Sequence, residues 1–110
     1  MERKLLAIVA ADMVGFSRLV ENNEIEILKR QKKHFIEIIK PNVDKYIGRI
    51  IKTTGDGFLA TFESSMSAVE SSLIIQSKIN ELESMFNNDK RIWYRSVSYT
   101  HLTLPTMELV

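Results

Sequence analysis

The sequence contains no cysteine, which excludes disulfide bonds and thiolate metal sites but does not by itself fix the cellular compartment. The sequence also has no marked excess of charge of one sign, because it contains 15 Lys and Arg residues and 14 Asp and Glu residues. We therefore expect no nucleic-acid partner. No apolar run approaches the roughly 20 residues of a membrane span, and the apolar stretch near the start ends without a cleavage site. We therefore expect one cytoplasmic α/β domain with no membrane segment in these 110 residues.

The centre of the sequence, Lys52–Leu59, reads Lys-Thr-Thr-Gly-Asp-Gly-Phe-Leu and lies between two strand-like segments. Asp-Gly supplies the positive φ angles of a tight turn, so the stretch predicts a β-hairpin with Asp56 at its tip. Gly55 and Gly57 flank this carboxylate and would let an anionic ligand and its cation approach the backbone closely. Ordinary turn chemistry is the alternative explanation for Asp56 taken alone.

A second carboxylate, Asp12, follows the apolar run Leu5–Ala11, which has the length and composition of a strand buried on both faces. A turn containing Gly15 and then a short helical piece through Val20 come next. A carboxylate at the end of a buried strand, followed by a turn whose amides can meet phosphate, is typical of metal–nucleotide sites. A helix-capping role is the alternative for Asp12.

Two long helices are predicted, over residues 23–47 and 66–85. Asn22 or Asn23 caps the first helix, Pro41 kinks or divides it, and Gly48 ends it. Ser64 or Ser65 caps the second helix. Its predicted apolar stripe is Met66, Val69, Leu73, Ile79, Leu82 and Phe86. A basic cluster on the first helix is predicted to be a solvated face, with its histidine at the surface: Lys29, Arg30, Lys32, Lys33 and His34.

The order strand, helix, strand, strand, helix, strand predicts an α+β fold of the ferredoxin-like (split βαβ) type. In this plan the first strand and the hairpin lie side by side in the sheet centre, so Asp12 and Asp56 come close together at one edge. Two such carboxylates suit a pair of Mg²⁺ (or Mn²⁺) ions that also bind substrate phosphates. The sequence thus predicts phosphoryl-transfer chemistry at this edge.

Two motifs together, Ala11–Ser17 and Lys52–Gly57, resemble the class III nucleotidyl cyclase catalytic domain, and bacterial adenylate cyclases most closely. The resemblance covers residues 3–95, the N-terminal part of that domain. It implies that Asp12 and Asp56 are the catalytic, metal-binding aspartates. The other residues that it assigns to the site are Met13 at the metal, the backbone of Met13, Val14, Gly15 and Phe16 at the triphosphate, Ser17 and Gly55 at the substrate, and Lys52 at the adenine ring.

The resemblance further implies conversion of ATP to 3′,5′-cyclic AMP and pyrophosphate, with two metal ions assisting attack of the ribose 3′-hydroxyl on the α-phosphate. It implies a homodimer in which Lys52 of one copy faces a nucleotide held by the carboxylates of the other. A guanylate cyclase is disfavoured by Lys52, since a carboxylate is usual there. A diguanylate cyclase would carry Gly-Gly-Asp/Glu-Glu-Phe in the hairpin. A catalytically silent, cyclase-like module for nucleotide binding or dimerisation remains the alternative.

The sequence departs from the family's pattern after Arg95. Residues 97–106 resemble the translation of a sequencing-library adapter, so we expect residues 96–110 to be a non-native or disordered tail and His101 to have no catalytic role. The fold would then be truncated after its fourth strand, without the Asn and Arg that steady the ribose and the transition state in the family. We expect these 110 residues alone to be poorly stable and inactive.

Overall fold

A computed structural model describes residues 4–103 of the chain. The strands are β1 (Lys4–Met13), β2 (Arg49–Thr53), β3 (Gly57–Phe62) and β4 (Tyr94–Thr103), and the helices are α1 (Phe16–His34), α2 (Lys40–Lys45) and α3 (Ser65–Glu83). A π-helical turn, Phe35–Ile39, joins α1 to α2. The strands form one sheet in the order β2-β3-β1-β4 with every neighbouring pair antiparallel. This arrangement confirms the predicted α+β, ferredoxin-like fold.

Strand β1 lies inside the sheet, between β3 and β4, as its continuous apolar run predicted. The predicted burial on both faces is only partly found, because Leu6 and Ala10 on the face away from the core are partly exposed. Its side chains alternate, so that Val9, Ala11 and Met13 pack in the core that the helices share with β3. Asp12 lies on the opposite face, where it is paired with Gly57 of β3 and Arg95 of β4. We call this face, which also carries Lys52 of β2, the open face of the sheet.

Helix α1 has a break at Asn23, whose φ of −162° and ψ of 81° are not helical. The Asn23 side-chain oxygen accepts a hydrogen bond from the backbone N–H of Glu26 at 3.3 Å. Asn23 therefore caps a second helical start inside α1, which confirms the predicted cap. The short helical piece predicted before it is the first part of the same helix, so α1 begins at Phe16 rather than near residue 23.

The end of this helical region differs from the prediction in one detail. Pro41 lies in the first turn of α2, directly after the π-helical turn, so it divides the helix as expected. The left-handed residue that ends α2 is Ile47, with a φ of 57°, and not Gly48. Gly48 N–H donates to Val43 O at 2.8 Å in a Schellman-type end. A Cβ on Gly48 would lie 2.5 Å from the Phe62 ring, so close packing is what requires glycine there.

Helix α3 begins as predicted, because the Ser64 hydroxyl oxygen accepts from Ser67 N–H at 3.0 Å. Its predicted apolar stripe is partly wrong, since Met66 and Leu73 are 70% and 65% exposed. The residues that α3 buries are Ala68, Ser71, Ile75, Ile79 and Glu83. Small side chains at two of these positions let the helix approach the sheet closely, and the larger neighbouring side chains are left outside.

The basic cluster on α1 is not wholly a solvated face, because His34 is only 1% exposed. Its Nε2 lies 3.0 Å from Glu83 Oε2, and its Nδ1 lies 3.2 Å from the Tyr94 hydroxyl. Arg30 and the backbone N–H of Ile92 also donate to the Glu83 carboxylate. The prediction that His34 lies at the surface is therefore wrong. His34 faces a carboxylate from a helix that is distant in sequence, and the spacing of residues along α1 cannot reveal such a contact.

Burial raises the pKa of Glu83, but the hydrogen bonds from His34, Arg30 and Ile92 and the charge of Arg30 outweigh that effect and leave the pKa below its usual value of 4.5. Burial, together with the negative charge of Glu83, raises the pKa of Tyr94, so that its hydroxyl stays protonated. These two groups, with Arg30, His34 and Ile92, form a cluster that we call the buried network. It ties α1 and α3 to the beginning of β4.

Strand β4 continues beyond Arg95, and residues 96–103 are paired with residues 4–11 of β1. These residues of the expected tail are therefore ordered as strand, while residues 104–110 lie outside the described residues. The foreign origin of the tail stays a prediction. Between residues 4 and 103, no helix has the length and the apolar character needed to span a membrane.

Candidate active site

The structure brings the two predicted aspartates together at one end of the sheet. Asp12 is paired with Gly57, the residue that follows Asp56, and Met13 N–H donates to Asp56 O at 2.7 Å. The Asp12 side chain is 43% exposed on the open face. Asp12 does not cap α1, because the N-cap is Gly15 and no side chain accepts a hydrogen bond there. Both aspartates are thus partly exposed and close to the start of α1.

The turn that carries Asp56 is closed by a hydrogen bond from Thr54 N–H to Gly57 O at 2.9 Å. Gly55 and Gly57 do not have positive φ angles, since Gly15 is the only glycine in the described part that does; the predicted reason for Asp-Gly here is therefore wrong. Gly57 is required by the close approach of β1, because a Cβ would lie 1.8 Å from Ala11 O. A Cβ on Gly55 would meet nothing within 4 Å, so that side of the turn is open to a ligand.

The backbone segment expected to hold a triphosphate is only partly available. Met13 N–H is donated to Asp56 O and Val14 N–H to Trp93 O, each at 2.7 Å. The donors that remain begin at Gly15, whose φ of 66° turns the chain into α1, and continue with the first helical turn at Phe16 and Ser17. The Met13 side chain is 2% exposed, so that only its backbone carbonyl can face a cation.

Lys52 is exposed on strand β2, opposite Leu59, which in turn is paired with Ala10 of β1. It therefore lies on the same face as Asp12 but two strands away, a separation of about 10 Å between strand axes. The structure does not bring Lys52 into the immediate surroundings of the two carboxylates of its own chain.

Two side chains at this site were missed by the sequence analysis. Arg95 Nε donates to Asp12 Oδ1 at 2.8 Å, and this hydrogen bond, with the charges of Asp12 and Asp56, raises the pKa of Arg95. Gln31 of α1 donates to Gly55 O at 2.8 Å and so fixes the hairpin turn from the helix side. The alternation of side chains along β4 could have placed Arg95 on one face of the sheet, but the register of β4 against β1 is not visible in the sequence.

A pocket of about 270 Å³ near the hairpin lies on the helix side of the sheet between α1 and β3. Leu28, Phe35 and Phe58 are among its lining residues, and neither aspartate is. In the described part of the chain, no group of three or more His, Cys, Asp or Glu side chains is arranged to hold a metal ion. The protein groups available to bind a cation at this site are therefore two carboxylates and a backbone carbonyl.

Comparisons with known proteins agree with this fold. No protein-family profile matches the chain. The Rhizobium meliloti protein named "Putative adenylate cyclase 3" is 37% identical over 93 residues, which are 84% of this chain and 16% of that protein. The solved "Adenylate/Guanylate Cyclase/Hydrolase" from Silicibacter pomeroyi is 42% identical with a TM-score of 0.83, over 92% of this chain and 59% of that one.

The adenylyl cyclase CyaB from P. aeruginosa, at 22% identity and a TM-score of 0.77, shares the fold over 92% of this chain and 58% of its own. The chain thus spans little more than half of the solved domains and a smaller part of the rhizobial protein. Its identity to the Silicibacter pomeroyi protein extends along almost its whole length. In sequence and in fold, the chain therefore matches part of the adenylate/guanylate cyclase catalytic domain.

Proposed function

We propose that these residues form part of an adenylate cyclase, which converts ATP to 3′,5′-cyclic AMP and pyrophosphate. The observation that carries the proposal is the juxtaposition of Asp12 and Asp56, both partly exposed, beside the start of α1, which has no side-chain cap. The relationship to proteins named as adenylate cyclases supports it.

The residues at the site fit the divalent cations that we propose, two Mg²⁺ or Mn²⁺ ions. Asp12, Asp56 and the carbonyl of Met13 offer oxygen ligands only, and Mg²⁺ characteristically takes one or two carboxylates and completes its shell with water and phosphate oxygens. When bound, the ions would supply acidification of the attacking 3′-hydroxyl and charge neutralisation at the phosphates. Asp12 and Asp56 would hold them, and the amides from Gly15 to Ser17 would bind the triphosphate.

In the proposed reaction the ribose 3′-oxygen forms a bond to the α-phosphorus, the hydroxyl proton is released, and the bond to pyrophosphate breaks. The chain contributes to this step by fixing positions. Pairing of β1 with β3 sets the separation of Asp12 and Asp56, and the Gln31–Gly55 contact holds the turn. Such positioning and charge stabilisation carry most of the catalysis in phosphoryl transfer.

Lys52 is proposed to read the base. Its ammonium donates to adenine N1, an acceptor, whereas the corresponding position of guanine is a donor. Lys52 lies on the open face but about two strand spacings from Asp12. This separation supports a site shared by two copies of the catalytic domain, with Lys52 from one copy and the carboxylates from the other.

The proposal is tested in a chimera in which residues 1–95 replace the matching segment of the Silicibacter pomeroyi protein, with cyclic AMP and cyclic GMP measured in parallel by chromatography. We expect cyclic AMP from ATP, and a loss of at least about 100-fold in Asp12→Asn and Asp56→Asn. Lys52→Glu should shift the preference towards GTP, while Lys78→Glu, an equal charge change at an exposed position of α3, should not. Mg²⁺-dependent ATP binding without any cyclic product would favour the silent module instead.

A further inference from the structure

The ion pair between Arg95 and Asp12 is a feature of the site that the proposed reaction does not use. Arg95 is paired with Asp12 across β1 and β4, and its Nε lies 2.8 Å from Asp12 Oδ1. The charge of Asp56 also acts on the same guanidinium. A single cationic side chain therefore lies in the field of both carboxylates, which is where a divalent cation would bind.

We propose that Arg95 is a positioning residue that holds the Asp12 carboxylate in the absence of a divalent cation and competes with that cation for it. This inference rests on the proposed function, because it assumes that Asp12 is a metal ligand. Its consequence is that the metal ion alone binds the site more weakly than the two carboxylates would allow.

The exposure of the Arg95–Asp12 pair allows a divalent cation to replace Arg95 at the Asp12 carboxylate. The side chains of Arg95 and Asp12 are 71% and 43% exposed, so water and salt screen their attraction and little burial holds them together. A divalent cation brings twice the charge and binds through inner-shell contacts with carboxylate oxygens. Arg95 can therefore leave Asp12 without disturbing the core, in contrast to the guanidinium of Arg30, which is 11% exposed.

The proposal and a merely structural role predict opposite results. If Arg95 only braced Asp12 in a metal-binding geometry, its removal would loosen the ligand and weaken metal binding. If Arg95 competes for the carboxylate, its removal leaves Asp12 without a rival cation and strengthens metal binding. The affinity for a metal ion in the absence of nucleotide separates the two.

The test is a titration of the 110-residue chain with Mn²⁺ alone at low ionic strength, with free Mn²⁺ followed by electron paramagnetic resonance and folding checked by circular dichroism. We expect Arg95→Gln to bind Mn²⁺ about threefold or more tightly than the unmodified chain. Arg49→Gln removes the same charge from the edge strand β2, where residue 49 is paired with Thr61 and not with Asp12, and should have a clearly smaller effect. Asp12→Asn should lose the binding.

Each outcome bears on a different claim. An unchanged or weaker affinity in Arg95→Gln would overturn the competition, and so would an equal gain in Arg49→Gln, which would reveal only a general charge effect. In either case a loss of binding in Asp12→Asn would leave the metal site of the proposed function intact. If Asp12→Asn binds Mn²⁺ as well as the unmodified chain, the metal site and the competition both fail.

Discussion

Two arginine–carboxylate pairs of this chain lie at opposite extremes of burial. Arg30 and Glu83 are enclosed in the buried network, with side chains that are 11% and 3% exposed. Arg95 and Asp12 face outward on the open face, at 71% and 43%. Both pairs join elements that are far apart in sequence, since the first links α1 to α3 and the second links β4 to β1.

The surroundings of the two carboxylates differ as much as their exposure. Glu83 accepts from Arg30, His34 and the backbone N–H of Ile92, and the Arg30 guanidinium stacks 3.8 Å from the centre of the Phe86 ring. Among the described residues, Asp12 has one such side-chain partner, Arg95. A buried charge with several donors cannot change partner without leaving unpaired groups inside the protein, whereas an exposed one can. The first pair is therefore suited to holding the fold and the second to binding a ligand.

The largest effect is expected from Glu83→Ala, which removes the buried carboxylate partner of Arg30 and leaves it only the exposed carboxylate of Glu26 at 3.8 Å. We expect the free energy of unfolding to fall by about 3–5 kcal/mol, measured by urea denaturation. Glu81→Ala removes an exposed carboxylate two residues away on the same helix and should change the free energy of unfolding little. A similar loss in both variants would mean that the buried network does not hold the helices together.

Gly57→Ala should be the next most damaging change, because its Cβ would lie 1.8 Å from Ala11 O and β1 and β3 would have to separate. We expect a loss of about 3 kcal/mol in the urea experiment. Gly55→Ala, where a Cβ meets nothing within 4 Å, is the matched control and should be neutral or slightly stabilising. Equal destabilisation by the two would contradict the close approach of the strands.

Acid should destabilise the chain partly through Glu83. Because the pKa of Glu83 is lower in the folded chain than its usual value of 4.5, the stability that it contributes is complete above pH 4.5 and is lost as the pH falls through the folded value. Glu83→Gln should be less stable at neutral pH but should lose less stability on acidification. Parallel pH profiles of the urea midpoint for the two proteins would show that Glu83 has no such role.

Tyr94→Phe should have a smaller effect, because it removes only the hydroxyl 3.2 Å from His34 Nδ1. We expect a loss of about 1 kcal/mol in the free energy of unfolding. Tyr99→Phe, at an exposed position of the same strand, should change nothing. If the two substitutions were equivalent, the Tyr94 hydroxyl would not be part of the buried network.

The smallest effect on stability is expected from Asp12→Asn, which removes a charge from the exposed pair. The urea midpoint should not move beyond experimental error, since exposed ion pairs contribute little. Loss of Mn²⁺ binding in the same variant would show that the residue acts on the ligand and not on the fold. A marked loss of stability would mean that the two pairs are less different than their exposure suggests.

Much of the fold could be predicted because it depends on local patterns. The apolar run of β1, the caps at Asn23 and Ser64, and the division at Pro41 follow from the chemistry of a few neighbouring residues. The hairpin was predicted for the wrong reason, because Gly57 is needed to let β1 approach and not for a positive φ angle. That requirement depends on a strand some 45 residues away, which no local pattern shows.

The sequence by itself determined the order of the elements. It also determined that one aspartate lies at the end of a strand and the other in a tight turn, because strand ends and tight turns have local signatures. Tertiary structure decided which charges pair. His34 and Arg30, which belong to one basic run, turn inward because Glu83 of α3 meets them, and Asp12 pairs with Arg95 because of the register of β4 on β1. A side chain's burial and partner depend on the distant elements packed against it, and only the folded chain brings those elements together.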